Sequence, residues 1–580
     1  MSEKELTGYP SIDKPHYKYY RKMPIREINR NQTIYDLVFS SNRDYMDTVA
    51  LEYMGVNWTY NKLKNKTDQT ADAFAKEGLR MGDVVLIGVS NCFEAVVSLL
   101  ALNKLGIVSK WFDIRSSQKD IFNYANDSKC KFLISFDVLI PKLQHILEET
   151  TIEKVLIISP VDSLPQYIQI VYNLKRRKEK KYYSLPSDTR YVKFKDFVKC
   201  GSRNSELQCV PFDKERPSIM IQSSGTTGKP KIIVHSDYSA VACVRSLAHC
   251  DTPVEPGKIL LNLLPPWIAY ALGEAILYLL ALGTKVVLSP TFEPEELLKY
   301  IGRFTVAFAA PFHYRYLYDH IDELSEEQKQ NLYKVEGFVS GGDKMTVEEN
   351  AKFEMAFRTV LMNGYGCNEG WGALTNNPAK HNRYGTVGIP KYGETVIVYD
   401  DELGMELPYG VVGEVCVLAE TTFLYYEGRP EETRLVKRMH ADGNVWLHTG
   451  DLGVIDEDGF LTLQGRARRV IVRRGFKISA YTIEDKICEL PMVKECVAVE
   501  VVDQGEEHVP MAFVRLKHGI APDDKIKESI VAKCTSELKE YEVPKYIRFV
   551  EQLPYTENNK YDFRVLEELG NKYVVDHKVV

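Results

Sequence analysis

The sequence predicts an α/β protein in two parts, a large N-terminal region of several subdomains with βαβ sheets and a small α+β domain at the C-terminus. Three observations lead to this prediction. The chain has 580 residues, whereas a single hydrophobic core stops growing at about 250–300 residues, so two or more domains are expected. Short apolar runs alternate with helical patterns in the first region, which is typical of a parallel sheet covered by helices. Past residue 460 the pattern changes to short strands around one helix.

The first elements of the chain show the alternation. Apolar residues recur at helical spacing from Leu63 to Ala75. Residues 84–89 have the unbroken apolar character of a strand buried on both faces. A helix is predicted over about 93–105, and further buried strands over 132–135 and 155–158. In the C-terminal region the predicted strands are 470–472, 497–499 and 511–514, and the predicted helix is 526–538.

Composition excludes several classes of protein. Hydrophobic residues make up 44% and charged residues 27% of the chain, which is ordinary for a globular protein. A net charge of -6 argues against a nucleic-acid partner. Eleven cysteines without a C-x-x-C pair indicate reduced thiols in a cytoplasmic protein. No signal peptide is expected at the N-terminus, and the apolar stretch 275–283 is too short to cross a bilayer, so it predicts a buried helix.

A basic segment at 164–181 has two interpretations. Leu164, Ile168, Val171 and Leu174 are spaced to form one apolar helix face, and six Lys or Arg residues follow between 174 and 181. A basic amphipathic helix is able to rest weakly on an anionic membrane surface. The favoured interpretation is a solvated surface insertion, because the basic run is short.

A glycine-rich loop after the apolar residues 219–221 carries the strongest chemical signal. Its glycines allow close approach of the backbone to an anion, its hydroxyls donate to phosphate oxygens, and its lysines neutralise charge. The spacing differs from the common P-loop, because only two residues separate Gly225 from Gly228 and Pro230 follows Lys229. The alternative is a flexible polar loop. The candidate phosphate-binding residues are Ser223, Ser224, Gly225, Thr226, Thr227, Gly228, Lys229 and Lys231.

This loop resembles the phosphate loop of the adenylate-forming superfamily, which includes acyl-CoA synthetases, amino-acid adenylation domains and firefly luciferase. The other family motifs follow in order, and the resemblance extends from about Trp58 to Leu566. It implies an ATP-binding enzyme with Thr226 among the catalytic residues. The implied fold is an adenylation domain, residues 1–465, followed by a mobile domain, residues 466–580.

The middle motifs resemble the family's nucleotide site. The segment 364–369 implies that Tyr365 packs on adenine and that Glu369 is both catalytic and the magnesium ligand. The latter suits a hard cation that prefers carboxylate oxygen. Asn368 stands where threonine is usual. Gly341 and Gly342 resemble the strand end at which adenine and the acyl chain bind.

The late motifs resemble the ribose site and the domain junction. Asp451 would accept both ribose hydroxyls, as a carboxylate can. Arg466 would contact the nucleotide, and Arg468 occupies the hinge position, where aspartate or lysine is usual. Gly475 would lie on the coenzyme A side. Lys560 matches the lysine that bridges the acid and the α-phosphate, although Asn559 replaces the glycine before it.

The resemblance implies ATP, Mg²⁺ and coenzyme A as partners of a small-molecule carboxylic acid, which is activated as acyl-AMP and then transferred to the thiol. Residues 265–272 include Trp267 and Tyr270 and contain no acid before Glu274, so an amino-acid substrate is disfavoured. Both aromatics are equally compatible with a plain core role. Two alternatives stay open: loading of a separate carrier protein, and a non-catalytic acyl-AMP-binding homologue. The oligomeric state is not predicted.

Overall fold

An eight-stranded sheet forms the core of one N-terminal subdomain of the computed structural model, which describes residues 6–179, 183–202, 207–223, 230–466, 469–473, 476–503, 507–555 and 561–576. Its central strands are parallel, and an antiparallel hairpin closes one side. The strands predicted at 84–89, 132–135 and 155–158 are confirmed within this sheet. In spatial order the strands are Tyr425–Tyr426, Ile232–Ser236, Pro217–Gln222, Val108–Trp111, Val84–Gly88, Phe132–Phe136, Lys154–Ile158 and Tyr191–Lys193.

A nine-stranded sheet forms the core of the neighbouring subdomain. Its six central strands are parallel, and the strands at its two sides are antiparallel. In spatial order the strands are Ile389–Pro390, Gly372–Asn376, Leu361–Cys367, Gly337–Ser340, Val306–Ala309, Ile259–Asn262, Lys285–Leu288, Val49–Tyr53 and Val56–Thr59.

The helix Phe93–Lys104 joins these two sheets into one core. All of its residues are buried, which explains why its sequence shows apolar residues on every face. Its first residue, Phe93, stacks on Trp58 of the nine-stranded sheet with ring centroids 4.1 Å apart. Ile87 of the eight-stranded sheet and Leu260 of the nine-stranded sheet belong to the same apolar cluster. The two sheets are therefore packed about a shared layer of helices.

A third, antiparallel sheet follows, and its strands bring the late motifs to the domain junction. The chain then enters the C-terminal region, where two antiparallel strands precede a three-stranded sheet. The strands of the third sheet are Met405–Glu406, Thr395–Asp400, Gly413–Leu418, Val445–Ile455, Lys437–Met439 and Leu461–Arg466. Those of the C-terminal region are Val470–Arg473 with Phe476–Ser479, and Val493–Asp503 with Glu507–Leu516 and Tyr546–Phe549. The predicted α+β character of this region is confirmed.

Helices cover both parallel sheets, as the alternating pattern predicts. The longest, Tyr60–Lys76, begins at Thr59, whose side chain accepts a hydrogen bond from the Lys62 amide and so satisfies a free N–H of the first turn. The other α-helices are Pro10–Asp13, Ile34–Ser40, Phe93–Lys104, Gln118–Asp127, Ile146–Glu149, Gln166–Lys178, Phe194–Lys199, Asp237–Leu247, Leu279–Ala281, Glu296–Tyr300, Pro311–Asp319, Glu326–Leu332, Val347–Phe357, Pro430–Val436, Ala480–Cys488, Asp524–Glu537 and Phe563–Asp576. Short 3₁₀ segments are Pro15–Tyr19, Arg43–Tyr45, Asp137–Leu143, Ile321–Glu323, Asn368–Gly370 and Ala379–His381.

The apolar stretch at 275–283 is a buried helix, as predicted. It belongs to the π-helix Tyr270–Tyr278, which continues into Leu279–Ala281. Within the described ranges, no helix combines the length and the apolar character needed to cross a bilayer.

The prediction that the apolar residues of the basic segment 164–181 form one helix face is wrong. Leu164 is buried and Ile168 is partly buried against the core, but Val171 and Leu174 are exposed. The helix Gln166–Lys178 is rotated relative to the prediction because residues 168, 172 and 176, rather than 171 and 174, face the domain.

Candidate active site

The glycine-rich loop connects the antiparallel strands Pro217–Gln222 and Ile232–Ser236. Ser223 and Lys231 close its base: the Ser223 amide donates to the Lys231 carbonyl over 2.9 Å, and the Lys231 amide donates to Ser223 Oγ over 3.0 Å. These two contacts join the ends of the two strands at the point where the predicted phosphate loop begins and ends. Six of the predicted phosphate-binding residues, Ser224, Gly225, Thr226, Thr227, Gly228 and Lys229, lie outside the described residues.

The side chain of Lys231 connects this hairpin to the predicted magnesium ligand. Its Nζ lies 2.8 Å from a Glu432 carboxylate oxygen and 4.6 Å from the ring centroid of Tyr426. The Tyr426 hydroxyl donates to Glu369 Oε1 over 2.7 Å. Burial, followed by the Glu369 charge, raises the pKa of Tyr426, so this hydroxyl stays protonated and donates. Glu369 is therefore held near Lys231 at the base of the hairpin formed by Pro217–Gln222 and Ile232–Ser236, here called the phosphate hairpin after its predicted role.

Asn368, which replaces the usual threonine, binds two other segments with its side chain. Its Nδ2 donates to the Gln222 carbonyl over 2.8 Å, and its Oδ1 accepts from the Ala269 amide over 3.1 Å. One amide thus joins the strand before the phosphate hairpin to the start of the helix that carries Tyr270. An amide can do this because it offers a donor and an acceptor at once.

His235 supports the same segment from the strand that follows the hairpin. Its Nε2–H donates to the Asn368 carbonyl over 2.8 Å, and its ring lies 4.4 Å from the Trp371 ring. Burial lowers the pKa of His235 to about 3, so the imidazole is neutral at physiological pH. Trp371 itself has a φ of 59°, which is uncommon for a bulky residue and requires support from its neighbours. Fixed contacts therefore surround Glu369.

Two predicted nucleotide-site residues, Tyr365 and Arg466, contact the carboxylate of a third, Asp451. The Tyr365 hydroxyl donates to Asp451 Oδ2 over 2.6 Å, and Arg466 Nε lies 3.0 Å from Asp451 Oδ1. Asp451 and Arg466 stand opposite each other on the antiparallel strands Val445–Ile455 and Leu461–Arg466. Since residues paired across strands lie close together, the strand register itself brings these distant motifs into contact.

The strand that carries Asp451 is fixed by a buried histidine. His448 Nδ1 donates to Glu414 Oε2 over 2.8 Å, and its Nε2 lies 2.9 Å from Nε2 of His440. Glu414 Oε1 also accepts the Gly450 amide over 2.9 Å. This network holds the bend just before Asp451 in place.

Gly341 and Gly342 lie at the end of the strand Gly337–Ser340, next to the π-helix Tyr270–Tyr278, here called the acyl-side helix after the role predicted for Tyr270. A Cβ added at Gly341 would lie 3.3 Å from Tyr270 Cε1, so a larger residue would press on that ring. Gly342 has a φ of +89°, which favours glycine. The Tyr270 hydroxyl donates to the Val339 carbonyl over 3.3 Å. The ring of Tyr270 is thus fixed against Gly341, which is predicted to border the adenine.

Trp267 is nearly fully buried, at 6% exposure, and its ring meets the Phe292 ring edge-on at 5.3 Å. It belongs to the main apolar cluster, whereas Tyr270 is partly buried at the margin of that cluster. The two aromatics predicted for the acyl pocket therefore both lie at the main apolar cluster. Their role in binding the acid stays a prediction.

A buried ionic cluster lies behind the acyl-side helix. Lys391 Nζ is 3.3 Å from Glu394 Oε1, and both side chains are almost inaccessible to solvent. Glu274, on the π-helix, accepts the Ala373 amide over 2.6 Å. Burial raises the pKa of Glu274 from 4.5 to about 7, although Lys391 acts in the opposite direction.

Gly465 and Tyr481 approach each other closely at the domain junction. Gly465 has a φ of +118°, and a Cβ there would lie 2.4 Å from Tyr481 Cδ2, so only glycine fits. Lys344 forms an ion pair with Asp485 across the two regions. The predicted hinge residue Arg468, the coenzyme A-side Gly475 and the predicted catalytic Lys560 lie outside the described residues.

Sequence reasoning did not find three residues of this site, Tyr426, His235 and Glu274. A histidine inside the apolar strand Ile232–Ser236 is a signal that a buried polar contact exists there. Tyr426 gives no local signal, because it reaches the site through pairing of Tyr425–Tyr426 with Ile233 and Val234.

Comparison with known proteins agrees with the motifs. A model of the AMP-binding enzyme family matches residues 38–426, and a model of the AMP-binding enzyme C-terminal domain matches residues 482–560. The first match covers more than half of the chain, so the chain belongs to the AMP-binding enzyme family. The predicted class, an acid–thiol ligase that forms an acyl-AMP and transfers the acyl group to coenzyme A, is confirmed.

Individual relatives cover almost the whole chain. A long-chain-fatty-acid–CoA ligase of Bacillus subtilis is 28% identical over 98% of this chain and 99% of its own length. Its counterpart from Escherichia coli O6:H1 is 27% identical over 91% of this chain and 93% of its own. The crystal structure of ATP-bound MatB from Rhodopseudomonas palustris has a TM-score of 0.81 at 22% identity, covering 94% of this chain and 100% of that one. The α/β fold with a small C-terminal domain is confirmed by this likeness.

Proposed function

We propose that this enzyme activates a long-chain fatty acid with ATP and magnesium and transfers the acyl group to coenzyme A. The observation that carries the proposal is the contact of Tyr365 and Arg466 with the Asp451 carboxylate. Glu369 is held in turn by Tyr426, whose ring lies against Lys231 at the base of the phosphate hairpin. Groups suited to a base, a ribose and a phosphate chain are thereby arranged side by side.

The reaction is the attack of one carboxylate oxygen of the acid on the α-phosphorus of ATP. An oxygen–phosphorus bond forms, the bond to the β-phosphate oxygen breaks, and pyrophosphate leaves. Both reactants are anions, so positive charge is required where they meet. We assign this role to Lys560 and to Lys229 of the hairpin, together with Lys231 at its base. The hydroxyl of Thr226 would donate a hydrogen bond to a phosphate oxygen. Arg466 adds charge on the nucleotide side.

Binding of the nucleoside is assigned to the residues around Asp451. Its carboxylate accepts from Tyr365 and Arg466, so it is already oriented. A ribose diol can take over acceptor positions of this carboxylate, because each oxygen accepts more than one hydrogen bond. Tyr365 would contact the adenine face, and Gly341 and Gly342 leave room for the base because they have no side chain.

Glu369 fits a magnesium ion that also binds phosphate oxygens. Mg²⁺ is usually held by one or two carboxylates plus substrate phosphates, and Glu369 is a half-buried carboxylate beside the phosphate hairpin. When bound, the ion neutralises charge on the phosphates and on the departing pyrophosphate. Tyr426 holds Glu369 Oε1 and so limits the positions that this carboxylate can adopt.

The second half-reaction requires a different arrangement of the C-terminal domain. The thiol of coenzyme A attacks the acyl carbonyl, and AMP leaves with the electron pair of the broken anhydride bond. We propose that residues 466–580 rotate about Arg468 relative to residues 1–465, which exchanges Lys560 for the face with Gly475. Lys344–Asp485 is a surface ion pair of the kind that can break in such a hinge motion.

A fatty acid is supported by the relatives and by the apolar character of the acyl side. Both ligases compared above are named for long-chain fatty acids. Trp267, Tyr270 and Phe292 supply apolar and aromatic surface beside the nucleotide residues. The buried Glu274 carboxylate is engaged by the Ala373 amide, so it is not placed as a partner for a substrate amine. Reduced cysteines support a cytoplasmic location.

The test is a panel of acids of increasing chain length, with pyrophosphate release and acyl-CoA formation measured separately. The proposal predicts the highest kcat/KM for long-chain acids, a requirement for a divalent cation and a thioester with free coenzyme A. Short or aromatic acids preferred over long ones would overturn the substrate. Acyl-AMP formation without thioester formation would favour a carrier protein as acceptor, and no pyrophosphate with any acid would favour a non-catalytic homologue.

A further inference from the structure

The helix Gln166–Lys178, here called the basic helix, is attached to the domain along one narrow line. Ile168 and Tyr172 are partly buried against the main apolar cluster. Arg176 is 5% exposed, and its NH1 lies 2.6 Å from Asp137 Oδ2. These residues are spaced by four, so they lie on one side of the helix. One basic residue of the run is therefore used to fix the helix to the protein.

The opposite side of the basic helix is apolar and faces outward. Tyr167, Ile170, Val171 and Leu174 are 69%, 59%, 65% and 60% exposed. Their spacing of three, one and three residues places them on a single arc of about 100°, centred opposite Arg176. Single exposed apolar residues are ordinary, but a continuous stripe of four on one helix is typical of a protein or membrane interaction site.

Cationic side chains border this apolar stripe. Lys175 and Arg177 lie on its two flanks at about 100° per residue, and Lys178 lies at its C-terminal end. All three are exposed, and Lys175 lies 3.9 Å from the carboxylate of Glu179, the residue that follows the helix. Long cationic side chains beside an apolar face can keep their charges at the level of lipid phosphates while the apolar residues enter the acyl region.

We propose that the basic helix docks this enzyme onto a membrane surface that contains anionic phospholipid. The helix lies parallel to the bilayer, with Tyr167, Ile170, Val171 and Leu174 inserted and Lys175, Arg177 and Lys178 at the headgroups. A lipid surface fits better than a protein groove because the apolar stripe and the cationic border coincide on one outward face. Under the proposed function this placement also brings the enzyme to long-chain acids, which partition into bilayers.

The test is co-sedimentation of the full-length protein with vesicles, measured without substrate. One set contains equimolar phosphatidylglycerol and phosphatidylcholine, and the other contains phosphatidylcholine alone. We expect binding to the anionic vesicles that weakens as salt is raised. The triple variant Ile170→Gln, Val171→Gln, Leu174→Gln should bind at least about tenfold more weakly. The variant Lys175→Gln, Lys178→Gln should lose mainly the preference for anionic lipid.

Two matched control variants distinguish binding through this surface from non-specific adsorption to vesicles. Met355→Gln removes a more exposed apolar residue from the helix Val347–Phe357, and Lys525→Gln with Lys527→Gln removes two exposed cations from the helix Asp524–Glu537. Both should bind vesicles like the wild type. Wild-type protein that fails to sediment with anionic vesicles, or a triple variant that sediments as well as the wild type, would overturn the docking proposal. Turnover of a short water-soluble acid, if accepted, should be equal in all variants, so a failure of docking is distinguishable from a failure of the proposed reaction.

Discussion

The proposed nucleotide side and the proposed acyl side of the active site are stabilised by different kinds of contact. On the proposed nucleotide side, Asp451 is oriented by the buried Tyr365 and the exposed Arg466, through contacts that a substrate could replace. On the proposed acyl side, the π-helix Tyr270–Tyr278 carries the buried carboxyl group of Glu274 next to the buried ion pair of Lys391 and Glu394. Polar residues at the edge are available for binding, whereas those behind the helix hold the framework. Substitutions on the nucleotide side should therefore mainly lower catalytic activity, whereas substitutions on the acyl side should mainly lower the free energy of unfolding.

The largest effect is expected for Lys391→Met. Removing the cation leaves the buried carboxyl groups of Glu394 and Glu274 without their counter-charge. Breaking a buried pair typically costs about 3–5 kcal/mol of unfolding free energy. Urea denaturation followed by fluorescence measures this loss. Lys380→Met is the matched control, because Lys380 is 80% exposed in its pair with Asp251 and should cost less than about 1 kcal/mol. Equal losses in the two variants would contradict a framework role for the cluster.

The next effect concerns the pH dependence of stability. The pKa of Glu274 is raised from 4.5 to about 7 in the folded protein. Between these values the unfolded chain has released the proton and the folded chain keeps it, so stability falls as pH rises through this window. The carboxyl contributes about 3 kcal/mol of this loss. Glu274→Gln keeps the acceptor for the Ala373 amide but cannot titrate. Melting temperatures from about pH 4.5 to 7 should decline less in the variant, and parallel curves would show that Glu274 does not titrate there.

On the nucleotide side, Asp451→Ala should reduce kcat/KM for ATP by about a hundredfold with little change in melting temperature. A charge-assisted hydrogen bond to a substrate hydroxyl is worth about 1.5–3 kcal/mol. Pyrophosphate exchange measures the first half-reaction directly. Asp451→Asn, which keeps acceptor capacity without charge, should be less impaired than Asp451→Ala. A large drop in stability, comparable with that of Lys391→Met, would remove the distinction between the two sides.

The smallest effect is expected for Tyr426→Phe. The variant removes the hydrogen bond to Glu369 Oε1 and keeps the ring under Lys231. The loss of one such bond costs about 1 kcal/mol, so the magnesium concentration for half-maximal activity should rise about fivefold. Tyr425→Phe, at the neighbouring exposed position, is the control. An unchanged magnesium dependence would mean that Tyr426 does not orient Glu369.

Sequence reasoning found most of the framework because parallel strands buried on both faces are written as continuous apolar runs, as in Val84–Gly88 and Phe132–Phe136. It also selected Tyr365, Asp451 and Arg466, which the structure brings together. The orientation of the basic helix was missed because its pattern contains two apolar sets, and only tertiary packing decides which one is buried. Tyr426 was missed because its position beside Glu369 follows from the pairing of its strand, which local sequence does not reveal. The roles of Ser224 to Lys229, Arg468, Gly475 and Lys560 stay predictions.

The side-chain amide of Asn368 has a consequence for the order of events during turnover. Its Nδ2 donates to the Gln222 carbonyl and its Oδ1 accepts from the Ala269 amide, so a movement of either segment disturbs the other. Occupation of the acid pocket and occupation of the phosphate hairpin should therefore be cooperative, each substrate lowering the dissociation constant of its companion by the same factor. A threonine hydroxyl is shorter and cannot span both groups, so Asn368→Thr should leave the two dissociation constants independent of one another.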